Sequence, residues 1–121
     1  EFGPYTFNLV LEPGDSSLEE LIAKVDDGFL VTRFHYVNIL DRPATDLTGM
    51  TRDGTFRIRN GELAGAVHNF RFAQSALGAL KGVLGVGRDL EAIAPDYTSF
   101  GSNVAPALRI GAFHFASVTS H

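Results

Sequence analysis

The alternation of apolar and polar positions divides the chain into short segments punctuated by Gly, Pro, Asn and Asp. Tyr5 to Leu11 is rich in β-favouring residues and stops at the turn signal Glu12-Pro13-Gly14. Leu18, Leu21, Ile22 and Val25 then fall at i, i+3, i+4 and i+7, the spacing of one apolar helical face. Ser16 with Glu19, or Ser17 with Glu20, fits a capping box ahead of that face, and Gly28 supplies a stop. From Phe29 to Val37 the period changes to two. This predicts a strand with Leu30, Thr32, Phe34 and Tyr36 on one face and Val31, Arg33 and His35 on the other. Asn38 to Thr48, broken by Arg42-Pro43 and rich in Asp and Thr, reads as a loop.

Gly49 to Phe72 is the most informative stretch. Two β-favouring runs, Thr55–Asn60 and Glu62–Phe72, meet at Asn60-Gly61, both of which tolerate the positive φ of a type I′ hairpin turn. Arg52-Asp53-Gly54 is a second turn signal just ahead of them. Beyond Phe72, residues 73–84 read as a helix with Leu77, Leu80 and Leu84 on one face. Gly78 and Gly82 each cost that helix about 1 kcal/mol against alanine. They imply a close approach to another backbone, or a helix that holds only when docked. Gly85-Val86-Gly87-Arg88 reads as its stop, and Asp89 to Asn103 as irregular chain broken by Pro95 and Gly101.

Ala107 to Thr119 reads as a last strand, apolar on both faces, with Leu108 and Ile110 on one and Phe113 and Phe115 on the other. Such a strand is usually central in a sheet or buried between layers, and Gly111 marks a candidate bend or bulge. The order is strand, helix, strand, hairpin, helix, loop, strand. It predicts an α+β fold, a mostly antiparallel sheet with two helices packed against it, in a single domain spanning residues 1–121.

Composition narrows the function. A net charge of −4 argues against a nucleic-acid binder, which needs basic excess to neutralise phosphates. The chain has no cysteine, which excludes disulfides, thiol nucleophiles and thiolate metal sites within it and fits a cytoplasmic protein. No apolar run approaches the roughly 18 residues that span a bilayer. The start, Glu1-Phe2-Gly3-Pro4, has neither a signal peptide nor an initiator methionine, so a domain excerpted from a longer chain is expected.

The search for catalytic chemistry is mostly negative. His35, His68, His114 and His121 share no short ligand spacing, and neither HExxH nor HExxxH occurs. Gly82, Gly85 and Gly87 follow a helix instead of preceding one, so they cannot cradle a phosphate at a helix N-terminus. No GxSxG surrounds any serine. The pairs Glu19-Glu20 and Asp26-Asp27 read as solvated charge. Arg52, Arg57, Arg59 and Arg71 gather around the hairpin. They form either a polar sheet face in water or a groove holding a carboxylate or peptide terminus through bidentate contacts.

The strings Leu47-Thr48-Gly49-Met50-Thr51-Arg52-Asp53-Gly54-Thr55-Phe56 and Ile58-Arg59-Asn60-Gly61-Glu62-Leu63 carry a resemblance. With Gly85-Val86-Gly87-Arg88-Asp89 and a final strand after Pro106, their order resembles the C-terminal domain of the TldD/PmbA family. These are peptide-processing metalloproteases, also known as modulators of DNA gyrase, and their inactive partners. Gly49, Asp53, Gly54, Asn60, Gly61, Glu62, Gly87 and Asp89 are the motif positions, and the strand–Pro-Gly–helix start at Tyr5 to Gly28 also fits the family.

The resemblance implies a structural, dimer-forming and peptide-binding domain that is not catalytic alone. Active members carry HExxxH upstream and a late cysteine that completes a zinc site. This chain has neither, nor the family's GKxGQ, and residues 94–103 stand where the cysteine is expected. No cofactor is therefore expected in this chain, with zinc confined to a full-length parent; whether His114 replaces the cysteine stays open. Implied partners are the parent's own N-terminal domain, a second family subunit in a homo- or heterodimer, and an unfolded peptide added as a strand. No nucleic acid and no membrane are expected. Thr51, Arg52, Thr55 and Phe56 are the peptide-contact candidates. A stand-alone α+β module binding a small molecule or protein is the alternative, and an autonomous hydrolase the weaker third.

Overall fold

The computed structural model describes residues 9–93 and 103–119. Its fold is α+β, with two short helices and seven strands in two antiparallel sheets among the described residues. The elements run α1 (Leu18–Ala23), β1 (Asp27–Asp41), β2 (Asp46–Arg59), β3 (Glu62–Val67), β4 (Phe70–Ser75), α2 (Ala76–Lys81), β5 (Val83–Ile93), β6 (Asn103–Ile110) and β7 (Phe115–Val118). The larger sheet has the order β1-β2-β4-β7, with β3 also paired to β2, and β5 with β6 forms a separate ribbon. Among the described residues no helix is long and apolar enough to cross a membrane.

α1 forms where the apolar spacing places it, and its capping box is the Ser17–Glu20 pair. The Ser17 hydroxyl accepts from Glu20 N at 3.1 Å, and Glu20 Oε1 accepts from Ser17 N at 3.1 Å. The helix ends at Ala23, however, and Gly28 already lies in β1. The strand takes over because Asp27 and Gly28 pair with Arg59 and Ile58 across the hairpin. The Asn60-Gly61 turn is as expected: both residues have positive φ, 51° and 77°, and Arg59 faces Glu62.

Several boundaries shift because pairing across the sheet overrides local turn signals. Asn38–Thr48 is not a loop. β1 runs to Asp41 and β2 starts at Asp46, with Ile39 opposite Leu47 and a turn between them over residues 42–45. Glu62–Phe72 is not one strand, since β3 stops at Val67 and β4 starts at Phe70. The second helix is confined to Ala76–Lys81, because residues 73–75 pair with Asp46, Leu47 and Thr48. Gly82 ends it. A Cβ on Gly78 would lie no nearer than 3.4 Å to any atom, so neither helical glycine marks a tight approach to another backbone within this chain.

Gly85 to Arg88 and Asp89 to Ile93 belong to β5, not to a helix stop and a loop, because they pair with β6. Residues 94–102 and Tyr5–Asn8 of the first expected strand lie outside the described residues. Val10 makes a parallel bridge to Val104. Ala107–Thr119 splits at Gly111, where the chain leaves the ribbon and enters the larger sheet as β7. The bend is therefore real, but β6 and β7 are not one doubly covered strand.

The core of the larger sheet is aromatic. Phe29, Phe70, Phe115, Phe113, Phe72 and Phe34 form a continuous chain of rings with neighbouring centroids 4.8 to 6.0 Å apart. Phe72 is 2% exposed and lies across Gly49, where a Cβ would meet its ring at 2.9 Å. Phe29 and Phe34 are an odd number of positions apart on β1, which strict alternation would put on opposite faces. Register shifts between Val31 and Arg33 and between His35 and Asn38 break that alternation. Tyr36, at φ 51°, sits in the second of them.

Candidate functional site

The expected peptide-contact segment lies where β2 bends. Val31 pairs with Thr55 and Arg33 with Arg52, so Thr32 alone faces both Asp53 and Gly54. These two residues take φ values of 63° and 118°. The turn signal at Arg52-Asp53-Gly54 is therefore expressed as a bulge inside a strand, not as a reversal. Thr32 Oγ1 lies 2.8 Å from the Gly54 carbonyl and 3.2 Å from that of Arg52, stitching the bulge to β1.

The bend has a measurable consequence. Residues four apart in a straight strand are separated by about 13 Å. Here the Thr55 hydroxyl lies 2.8 Å from that of Thr51. Both side chains are buried, and both hydroxyls reach Asn69 Oδ1, at 3.0 and 3.3 Å. Phe70 N donates to Thr51 Oγ1 at 3.0 Å. This polar knot closes the gap between β3 and β4, since β2 pairs with β4 up to Met50 and with β3 from Thr55.

Of the four candidates, Thr51 and Thr55 thus point inward and are satisfied by the protein itself. Phe56 is half-buried and pairs with Leu30 and Ala66, while Arg52 is exposed. β2 is flanked by strands on both sides. Among the described residues its neighbour β1 is one terminal strand of the larger sheet, and β7 is the other.

The arginines divide between internal and solvent roles. Arg57 pairs with Asp27, and its guanidinium sits 4.9 Å from the centroid of the Phe29 ring. Arg33 binds Asp53 at 2.9 Å, and this bond holds the Asp53 carboxyl below its usual pKa range. Arg52, Arg59 and Arg71 are exposed. The shallow depression beside the turn, about 320 Å³, is lined by Asp26, Asp27, Arg57, Arg59 and Asn60. It carries two carboxylates and two guanidiniums, of which Asp27 and Arg57 pair, so it is a mixed-charge surface instead of an anion-selective groove.

Among the described residues no three His, Asp or Glu side chains gather closely enough to hold a metal ion. His114 is engaged locally: its Nδ1 lies 3.1 Å from the Ala73 carbonyl and its backbone N–H donates to Gln74 Oε1 at 2.8 Å.

The feature the sequence pattern missed is the second half of β1. Phe34, Tyr36, Val37, Ile39 and Leu40 are all exposed, Leu40 at 61%. The available signal was the apolar run that continues past Val37 to Leu40, which the polar residues after it obscured. A further exposed apolar set lies on α2 and just beyond it, at Leu77, Leu80 and Leu84. By contrast, the buried hydrophobic residues among those described are Leu21, Ile58, Phe72 and Ala79.

The fold matches solved structures. TldE from Thermococcus kodakarensis superposes with a TM-score of 0.68 at 20% identity, covering 92% of this chain and 23% of that one. A putative modulator of a DNA gyrase from Thermotoga maritima MSB8 superposes with a TM-score of 0.73 at 22% identity, covering 90% of this chain and 24% of that one. The chain thus spans about a quarter of the length of each. No curated protein matches it. The model of the PmbA/TldA metallopeptidase C-terminal domain matches residues 1–117, and the chain belongs to that family.

Proposed function

We propose that this chain is the structural, dimer-forming and peptide-binding C-terminal domain of a TldD/PmbA-type metalloprotease or of its inactive partner. It is not catalytic by itself. Zinc bound by a full-length parent would polarise a peptide carbonyl and activate water, and this domain's residues would supply surface and position. The family membership supports the reading at its coarse level. The observation that carries the finer level is the exposed apolar run on β1, from Phe34 to Leu40, on a terminal strand. Exposed apolar edge strands of this kind mark surfaces that pair or dock, and an extended peptide or a second subunit is the matching partner. The reading places the protein in the cytoplasm, with the parent's N-terminal domain packed on this one.

The test is the pair of substitutions Ile39→Lys and Leu40→Lys in the full-length protein, read by light scattering and by binding of an unfolded peptide. A fall to monomer mass, or loss of peptide binding, is expected. Unchanged mass together with unchanged peptide binding would overturn the proposal.

A further inference from the structure

The Asn60-Gly61 turn carries a chemistry that its role as a hinge does not use. Asparagine is thermally labile, and most so before glycine, whose nitrogen no side chain shields. Asn60 is exposed, at the tip of the β2–β3 hairpin. Its turn is not free, however. Asn60 N donates to the Asp26 carbonyl at 2.7 Å, and Gly61 N donates to the Val25 carbonyl at 2.8 Å. The Ala23 carbonyl oxygen lies 2.6 Å from where a Cβ on Gly61 would stand. The exit of α1, residues 23–26, therefore sits directly on the turn.

We infer that Asn60 is a deamidation site gated by the docking of the α1 exit on the hairpin turn. The nucleophile is the Gly61 nitrogen, and its proton is held by Val25. Only when that contact opens can the nitrogen give its proton to solvent base and reach Asn60 Cγ. The new N–Cγ bond forms as the bond from Cγ to the amide nitrogen breaks, and that nitrogen takes a proton from water and leaves as ammonia. Water then opens the imide. Attack at Cγ gives aspartate, and attack at the main-chain carbonyl gives isoaspartate, with the backbone rerouted through the former side chain. Either product adds a carboxylate to the depression that Asp26 and Asp27 already line. Isoaspartate also lengthens the two-residue turn. Both changes oppose redocking of α1.

The gate is tested in the full-length protein at mildly alkaline pH, by peptide mapping of the amide-to-acid mass gain at Asn60. A free peptide spanning residues 56–66 serves as the open reference. The native protein is expected to react on the order of tenfold or more slowly than the peptide; an equal rate would overturn the gate. Ser17→Ala removes the cap of α1 and is expected to raise the rate about fivefold. Ser75→Ala removes the matching cap of α2 and is expected to leave the rate within about twofold. An unchanged rate in Ser17→Ala, or equal acceleration in both variants, would overturn the proposal. If Ser17→Ala does not fold, Glu20→Ala, which removes the other half of the box, takes its place.

Discussion

The larger sheet is held by interlocking phenylalanine rings, whereas the β5–β6 ribbon leaves leucines outside and is gripped through its backbone. In the sheet, rings from β1, β4, β7 and the residues before β7 interlock, and the Phe72 ring closes on Gly49. In the ribbon, Leu84 and Leu90 are exposed. Its hold comes from the segment before α1. Leu11 N donates to the Val104 carbonyl at 2.9 Å, Gly14 N to Gly87 at 2.8 Å, and Arg88 N to Ser16 at 2.8 Å. That segment touches β6 first and β5 next, so it straps both strands. The contrast teaches where each half is vulnerable: the sheet to loss of side-chain volume, the ribbon to any added atom that lifts the strap.

The largest effect is expected at Phe72. Phe72→Ala should cost about 3–5 kcal/mol, read as a lowered denaturant midpoint, while Leu84→Ala in the ribbon should stay within about 0.5 kcal/mol. Equal losses would erase the contrast. Next is Gly14→Ala. Its Cβ would lie 2.4 Å from the Val86 carbonyl oxygen, so the strap must move, at about 1–3 kcal/mol. Hydrogen exchange should show faster exchange at Leu11 and Arg88 and unchanged protection around Phe72; a uniform change would mean that the halves do not open separately.

Ser17→Ala, which loosens the helix between the two regions, should cost about 1 kcal/mol in thermal melting. Protonation of Asp53 should have the smallest effect. Its carboxyl is held low by Arg33, so its contribution is complete above the ordinary carboxylate pKa and is lost as pH falls through the lowered value. Asp53→Asn should lose that small contribution near neutrality, and its stability should converge on the parent's as pH falls through the lowered value. A pH titration of stability that overlays the parent's would sink the assignment.

What the sequence made legible was local. The Asn60-Gly61 turn and the Ser17–Glu20 box depend on residues within a few positions of one another; the turn formed as read, and the box is the second of the two pairs the sequence offered. Arg52-Asp53-Gly54 was legible as a turn signal but not as a bulge, since a turn signal does not reveal that Thr32 will bridge it from another strand. β5 was missed because its partner, β6, lies about twenty residues further on. The same limit applied to the candidate site. Thr51 and Thr55 read as strand positions facing a peptide, and only the bend brings their hydroxyls together with Asn69.

Thr45 shows how a strained residue is kept. It is β-branched and sits at φ 54°, an unfavourable conformation for such a side chain. Its carbonyl accepts from Ala76 N at 2.9 Å and its hydroxyl from Leu77 N at 3.0 Å, while Ser75 Oγ accepts from Gly78 N at 3.1 Å. The turn between β1 and β2 thus caps a helix some thirty residues away, and offsets its strain there.

The strap also sets a clock. Val10 meets Val104, which the ribosome adds 94 residues later. At about 5–20 residues per second, the segment waits roughly 5–20 s for its partner strand to be made. During that interval Leu9, Val10 and Leu11 have nothing of the ribbon to pair with, so β6 completes a contact for a segment made long before it.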